Sequence, residues 1–165
     1  MIDDAVAAMR SVGAVIVDPV VLRPMGRGAA PREVMNFGAA ETEVLLYEFK
    51  AGLNAYLTRR SSDAEVRSLA DLIACNDRHA ADEMPCFGQE RLLAAEEKGP
   101  LSSEPTYLAA MAAVRRLSQV EGVDRPMNEH QLDAIVGPTG GPAWATDLVN
   151  GDHFGGSSSG YPAVA

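Results

Sequence analysis

LDAIVGPTGGPAWATDLVNGDHF, residues 132–154, is the stretch on which the reading of the fold turns. It opens with a short apolar run, Ala134-Ile135-Val136, whose length and β-branched content predict a buried strand. Gly137-Pro138 ends that run, because proline brings no N–H to a sheet ladder and fixes its own φ. Thr139-Gly140-Gly141-Pro142 follows, where two glycines permit backbone angles and close approaches that a Cβ would forbid. Trp144, the only tryptophan, lies just beyond. A strand whose C-terminal end opens into a glycine-rich loop is where open α/β sheets bind ligands. The same residues also suit a tight turn beside a core tryptophan, and spacing alone does not separate the two.

A second strand-like run, Ala14-Val15-Ile16-Val17, ends at Asp18-Pro19. Ahead of it, residues 2–12 predict a helix with Val6 and Met9 on one face and Gly13 as its stop. Helix, glycine and apolar strand make half of an α/β unit, and the pairing with Ala134-Ile135-Val136 implies a sheet. Two strands leave edge N–H and C=O groups unpaired, so further strands are expected from sequence outside this chain. The first helix, starting at the initiating methionine, likewise reads as cut short.

Between these runs the pattern is helical. Residues 33–57 predict a helix with Val44, Leu45, Tyr47, Phe49, Leu53, Tyr56 and Leu57 as a wide apolar face. Ser68 is placed to cap the next helix, with Asp71 at the capping-box position and Leu69, Leu72, Ile73 and Ala80 turned inward. That helix should stop near Met84-Pro85. Residues 89–98 predict another, ended by Gly99-Pro100. Residues 104–121 predict a fourth, with Tyr107, Leu108, Met111, Val114 and Leu117 at helical spacing, and 127–131 a short turn. The stripes Leu45/Phe49/Leu53 and Leu108/Met111/Leu117 read as core.

The 165 residues suffice for one domain, and 47% hydrophobic with 22% charged residues is ordinary for a globular protein. A net charge of −9 argues against nucleic acid or an anionic membrane surface as partner. No apolar run approaches the roughly 18–20 residues of a membrane span, and no signal-peptide pattern opens the chain, so a cytoplasmic location is expected. Cys75 and Cys86 have neither disulfide-framework nor metal-ligand spacing.

Three polar constellations invite chemistry. Asp77, His79, Asp82 and Glu83 suggest a metal cluster, and on a helix His79 and Glu83 would share a face with Asp82 adjacent, but too few ligands of the right kind converge for zinc. A solvated face with an ion pair to Arg78 or Arg91 is the expectation, and no metal site is assigned. His153 with Asp147, Asn150 and Asp152 is either a proton-exchanging group beside Trp144 or a hydrogen-bonded loop clip. Gly155-Gly156-Ser157-Ser158-Ser159-Gly160 looks like a nucleophile loop. A serine nucleophile needs a base, and the only lysines are Lys50, inside a helical run, and Lys98, at a helix end.

Residues 132–154, together with LLYEFKAGLNAYL (45–57), ADLIACNDRHAADEMPCFGQE (70–90) and VNGDHFGGSSS (149–159), resemble the C-terminal region of amidase-signature enzymes, in the branch similar to peptide amidases. The resemblance covers nearly the whole chain, in the right order. It implies an α/β fold, the C-terminal part of an α/β/α sandwich, mostly helices with a few strands of an incomplete mixed sheet. It also implies hydrolysis of carboxylic or peptide amides to acid and ammonia, by serine attack, an acyl-enzyme, backbone N–H stabilisation of the oxyanion and hydrolysis by water. The family's catalytic lysine, cis-serine and serine nucleophile lie in its N-terminal half and have no counterpart here. The GGSSS run matches a later segment than the nucleophile loop. Residues 1–165 are therefore expected to be a truncated, catalytically incomplete fragment with no catalytic residue and no cofactor. Thr139, Gly140, Gly141 and Trp144, with Asp147 and His153, are expected near the substrate. A separately encoded N-terminal half and a homo-oligomer are the expected partners besides the amide. The alternative is a stand-alone, non-catalytic α-rich interaction module.

Overall fold

The computed structural model describes residues 2–20, 22, 36–60, 63–138, 140, 141, 143–147, 149 and 151. Among them run α1 (Ile2–Ser11), α2 (Phe37–Thr58), α3 (Leu69–Arg78), α4 (Ala80–Glu83), α5 (Glu90–Glu96), α6 (Pro105–Arg115), a π-helical segment (Arg116–Asp124) and α7 (Arg125–His130). The chain forms two units, Gly38–Ala112, and Met1–Phe37 with Ala113–Ala165.

In the unit Gly38–Ala112, α3 starts where its sequence says it should. The Ser68 hydroxyl accepts the N–H of Asp71 at 3.1 Å, and Asp71 Oδ2 accepts the N–H of Arg67 at 3.0 Å. The first bond satisfies one of the donors that a helix start leaves over, and the second ties down the residue ahead of the cap. Another helix donor, the N–H of Leu69, goes to Asn54 Oδ1 on α2 at 2.7 Å. Leu69 itself is fully buried, with Ile73 and Ala95, and Leu46, Leu53, Leu72 and Leu92 pack around them. The Gln89 side chain joins α5 to α3. Its amide donates to Asp77 Oδ1 at 2.6 Å and its oxygen accepts from Asn76 at 3.1 Å.

Helix α2 buries Ala40, Val44, Tyr47 and Leu57, which fall on one face of a 3.6-residue repeat. The expected face was wider. Leu45, Phe49 and Tyr56 are exposed, as are Leu108 and Met111 on α6, where Ala110 is buried instead. A small side chain on the inner face lets helices approach closely, and the bulky residues one position away are left outside. Ala80 is also exposed, because the helix breaks at His79 and restarts as α4. Of the expected start at residue 33, positions 33–35 lie outside the described residues.

In the other unit, α1 ends as Gly13 predicts. Gly13 takes φ +97°, its N–H donates to Arg10 O at 3.1 Å, and the Ala14 N–H donates to Met9 O at 3.1 Å. Those two bonds are the Schellman pattern, which satisfies the last carbonyls of the helix. The helix expected over 104–121 changes character after Arg115, widening to a π-helix before α7. Pro126, in the first turn of α7, supplies the reason: it has no N–H to donate, and its ring crowds the carbonyl four residues back. The Ser118 hydroxyl returns to Val114 O at 2.8 Å, and Arg116 pairs with Glu121, five residues on.

The runs read as strands, 14–17 and 134–136, are neither helix nor ladder. A strand exists only when paired with a neighbour, and among the described residues no ladder forms between these runs or with any other segment. The Asp147–Gly151 pair is a single antiparallel bridge. The architecture is that of a mostly helical C-terminal portion of an α/β fold.

Leu69→Ala should cost about 2–5 kcal/mol and Ser68→Ala about 1 kcal/mol in urea unfolding. Hydrogen bonding from the Ser68 hydroxyl to the carboxylate, then from the Arg67 N–H, holds the Asp71 carboxyl below its ordinary 3.8. That contribution is complete above 3.8 and is lost as pH falls through the lower folded value. Carboxyl NMR should show Asp71 titrating low in the wild type and moving upward in Ser68→Ala.

Candidate functional site

The candidate site is the loop that follows 134–136. Gly137 and Gly141 both face open space, since a Cβ built on either meets nothing within 4 Å. Neither has a positive φ. Within this chain, then, glycine at 141 is demanded by neither packing nor backbone strain, contrary to the expectation of a close approach inside the fold. Trp144 is 45% exposed and does not belong to a closed core. Gly140 is likewise exposed. Thr139 and His153 lie outside the described residues, as do Asn150, Asp152 and the Gly155–Gly160 run.

Asp147 organises the end of the loop. Its Oδ1 accepts the N–H of Val149 at 2.8 Å, an Asx turn in which the side chain imitates a backbone carbonyl. Its main-chain oxygen accepts the Gly151 N–H at 2.9 Å, and Gly151 closes the turn at φ +92°, where a side chain is disfavoured. Asp147 is thus held by local turn hydrogen bonds, while the other members of its cluster, Asn150, Asp152 and His153, lie outside the described residues.

Both lysines are engaged elsewhere. Lys50 Nζ donates to the main-chain carbonyls of Glu96 and Lys98 at 2.5 and 2.9 Å and pairs with Glu96 Oε1 at 3.3 Å. Lys98 Nζ meets Glu43 at 2.6 Å and stands 5.3 Å above the Tyr47 ring. Tyr107 packs on Tyr47 with centroids 5.5 Å apart and donates its hydroxyl to Glu48 at 2.9 Å, a bond that raises the Tyr107 pKa because it favours the neutral phenol. Periodicity gave no sign of this network, which depends on residues 46 to 60 positions apart.

The other constellations resolve locally. Arg78 pairs with Glu65 at 2.6 Å rather than with the Asp82/Glu83 side, and Asp77 takes the Gln89 amide. His79 Nδ1 lies 2.8 Å from Cys75 O and 3.8 Å from Cys75 Sγ. A ring nitrogen that donates to the carbonyl has no lone pair to accept the thiol proton, so the two are not a nucleophile–base pair. No helix of the described residues is long and apolar enough to cross a membrane.

Gly151→Ala should store about 1 kcal/mol or more of backbone strain in the loop, whereas Gly141→Ala should leave the chain's stability within about 0.5 kcal/mol. Amide exchange at Val149 should accelerate in Asp147→Ala and stay slow in Asp147→Asn, which keeps the acceptor oxygen.

No family model matches the chain. A protein of Arabidopsis thaliana named as an amidase is 34% identical over 140 residues, covering 82% of this chain and 25% of the relative. A Schizosaccharomyces pombe protein, also named as an amidase, is 32% identical over 104 residues, covering 58% of this chain and 18% of the relative. Among solved structures, a peptide amidase in complex with the competitive inhibitor chymostatin superposes with a TM-score of 0.82 at 43% identity, over 99% of this chain and 31% of that one. The native peptide amidase of Stenotrophomonas maltophilia gives 0.79 at 41% identity, over 99% of this chain and 30% of that one. The chain spans between 18% and 31% of the length of the proteins it matches. By sequence and by structure, it corresponds to a partial, C-terminal region of amidases of the amidase-signature family.

Proposed function

We propose that residues 1–165 are the C-terminal part of a linear-amide hydrolase. They would supply its helical layer and part of its amide pocket, while the serine nucleophile and its lysine base come from sequence outside this chain. The observation that carries the reading is the match of 99% of the chain, at 43% identity, to under a third of a peptide amidase. The chemistry of the two lysines supports catalytic incompleteness. Each ammonium is bound into helix packing by carbonyls or a carboxylate, Lys50 on the Glu96 and Lys98 oxygens and Lys98 on Glu43.

On this reading the loop bearing Thr139, Gly140, Gly141, Trp144, Asp147 and His153 borders the substrate. An open Gly141 and a half-exposed Trp144 suit a wall that a ligand or further protein covers. In the intact enzyme the serine oxygen would add to the amide carbonyl, the C–N bond would break with a proton passing to the departing ammonia, and water would hydrolyse the acyl-enzyme.

Ammonia release from a panel of simple and C-terminal peptide amides is the test. Purified 1–165 and a Ser157→Ala/Ser158→Ala/Ser159→Ala triple variant should both give only the buffer rate. Turnover in the wild type that disappears in the triple variant would put the nucleophile in this chain and overturn the proposal.

A further inference from the structure

Helix α2 carries an apolar stripe that the core of its own unit leaves uncovered. Leu45 is 58% exposed, Phe49 43% and Tyr56 57%, and Gly52 is open between them. Steps of four, three and four residues keep all four on one side of the helix, opposite the buried Ala40, Val44 and Tyr47. Gly52 calls for a reason, because glycine inside a helix is less favourable than any residue but proline. A Cβ built at 52 meets nothing within 4 Å, so packing inside the chain does not require its absence. A second surface brought close to the helix backbone at that point would.

The two ends of the stripe carry opposite charge. Glu41 stands one turn before Leu45, and Arg59 and Arg60 stand one turn after Tyr56. None of the three has an ion pair among the described residues, whereas Glu43 and Lys50, on the other side of the helix, are engaged by Lys98 and Glu96. A two-fold axis level with Lys50 and Ala51 brings the stripe onto its own complement. Phe49 of each copy then lies on Gly52 of the other, Leu45 on Tyr56, and Glu41 on Arg59 and Arg60. A bulky ring meets an open backbone, and each charge meets its opposite, so the contact is locally balanced although the whole chain carries −9. Parallel pairing would instead set Glu41 on Glu41 and arginines on arginines.

We infer that the exposed face of α2 is a self-association surface, on which a second copy of this chain docks antiparallel about that axis. Leu108 and Met111 of α6, the helix that Tyr107 ties to Glu48 of α2, are exposed as well and supply further apolar surface in the same unit. The inference stands apart from the amidase reading, since it uses only this face and its charges.

Sedimentation velocity of purified 1–165 across a wide range of concentration should show a monomer–dimer equilibrium. Phe49→Glu should weaken it on the order of tenfold or more, because a carboxylate would be left unpaired in an apolar contact. Gly52→Leu should also weaken it, while raising the thermal midpoint of the dilute chain, since leucine is the better helix former. A residue needed only for the monomer's fold would move both readouts together. The charges give the sharpest arm. Glu41→Arg alone, and the Arg59→Glu/Arg60→Glu double variant alone, should each stay monomeric, because like charges meet at both ends of the stripe. Mixed, the two should pair as a heterodimer, with arginine on glutamate at both ends. A wild-type chain that stays monomeric, a dimer indifferent to Phe49→Glu and Gly52→Leu, or charge variants that pair no better mixed than alone would each overturn the proposal. So would a monomer whose stripe binds instead the unmatched length of the Stenotrophomonas maltophilia peptide amidase, co-expressed as a separate polypeptide, in a complex that Phe49→Glu abolishes.

Discussion

The contact on which one half of the molecule depends is the Lys50 ammonium at the end of α5. Helix α5 leaves its last carbonyls without intrahelical partners, and its dipole makes that end negative. Lys50, reaching across from α2, answers both needs, with its three donors shared between two main-chain oxygens and a carboxylate. Lys98 then returns to α2 through Glu43 and the Tyr47 face, and Tyr107 is tied to the same helix through Glu48. One 22-residue helix thus presents Glu43, Tyr47, Glu48 and Lys50 as a set of fixed points. Partly buried hydrogen bonds to charged groups are worth about 1.5–3 kcal/mol each and an aromatic pair about 0.5–1.5 kcal/mol. With the Leu69 cluster beneath, that is enough to keep the unit in one arrangement.

The second unit is organised differently. Its helix ends are well made: the Schellman bonds at Gly13 and the widened turn before Pro126 satisfy or relieve local backbone demands. What it lacks among the described residues is a partner for its two most apolar runs. Local rules close a helix on itself, but a strand has no internal hydrogen bonds and exists only as part of a ladder. The same composition that makes 14–17 and 134–136 suitable for a sheet interior leaves them as largely exposed apolar chain where, among the described residues, no ladder forms.

This division also frames the chemistry. Amide hydrolysis by a serine requires a nucleophile, a neutral base and donors held in register, and positioning residues alone recover little of the rate. The described part of the loop offers positioning features: an open glycine, a half-exposed indole and a turn held by Asp147. The lysines that could have served as a base are bound into helix packing.

How much was legible beforehand depended on the range of the interaction. The sequence by itself determined the stop of α1 and the start of α3, because Gly13, and Ser68 with Asp71, act through backbone groups within five residues. It also marked 132–154 as the glycine-rich stretch after an apolar run, and the resemblance to amidases rested on blocks of consecutive residues. Only the tertiary structure decided which face of α2 is inside, placing Val44 and Tyr47 in the core and Leu45 and Phe49 outside. Hydrophobic side chains surround more of that helix than one neighbour can cover, so periodicity admits both choices. Tertiary structure likewise decided that Lys50 and Lys98 are ties between helices and that the strand-like runs stand without a ladder. Those outcomes depend on partners tens of residues away or on other protein, which no local pattern encodes.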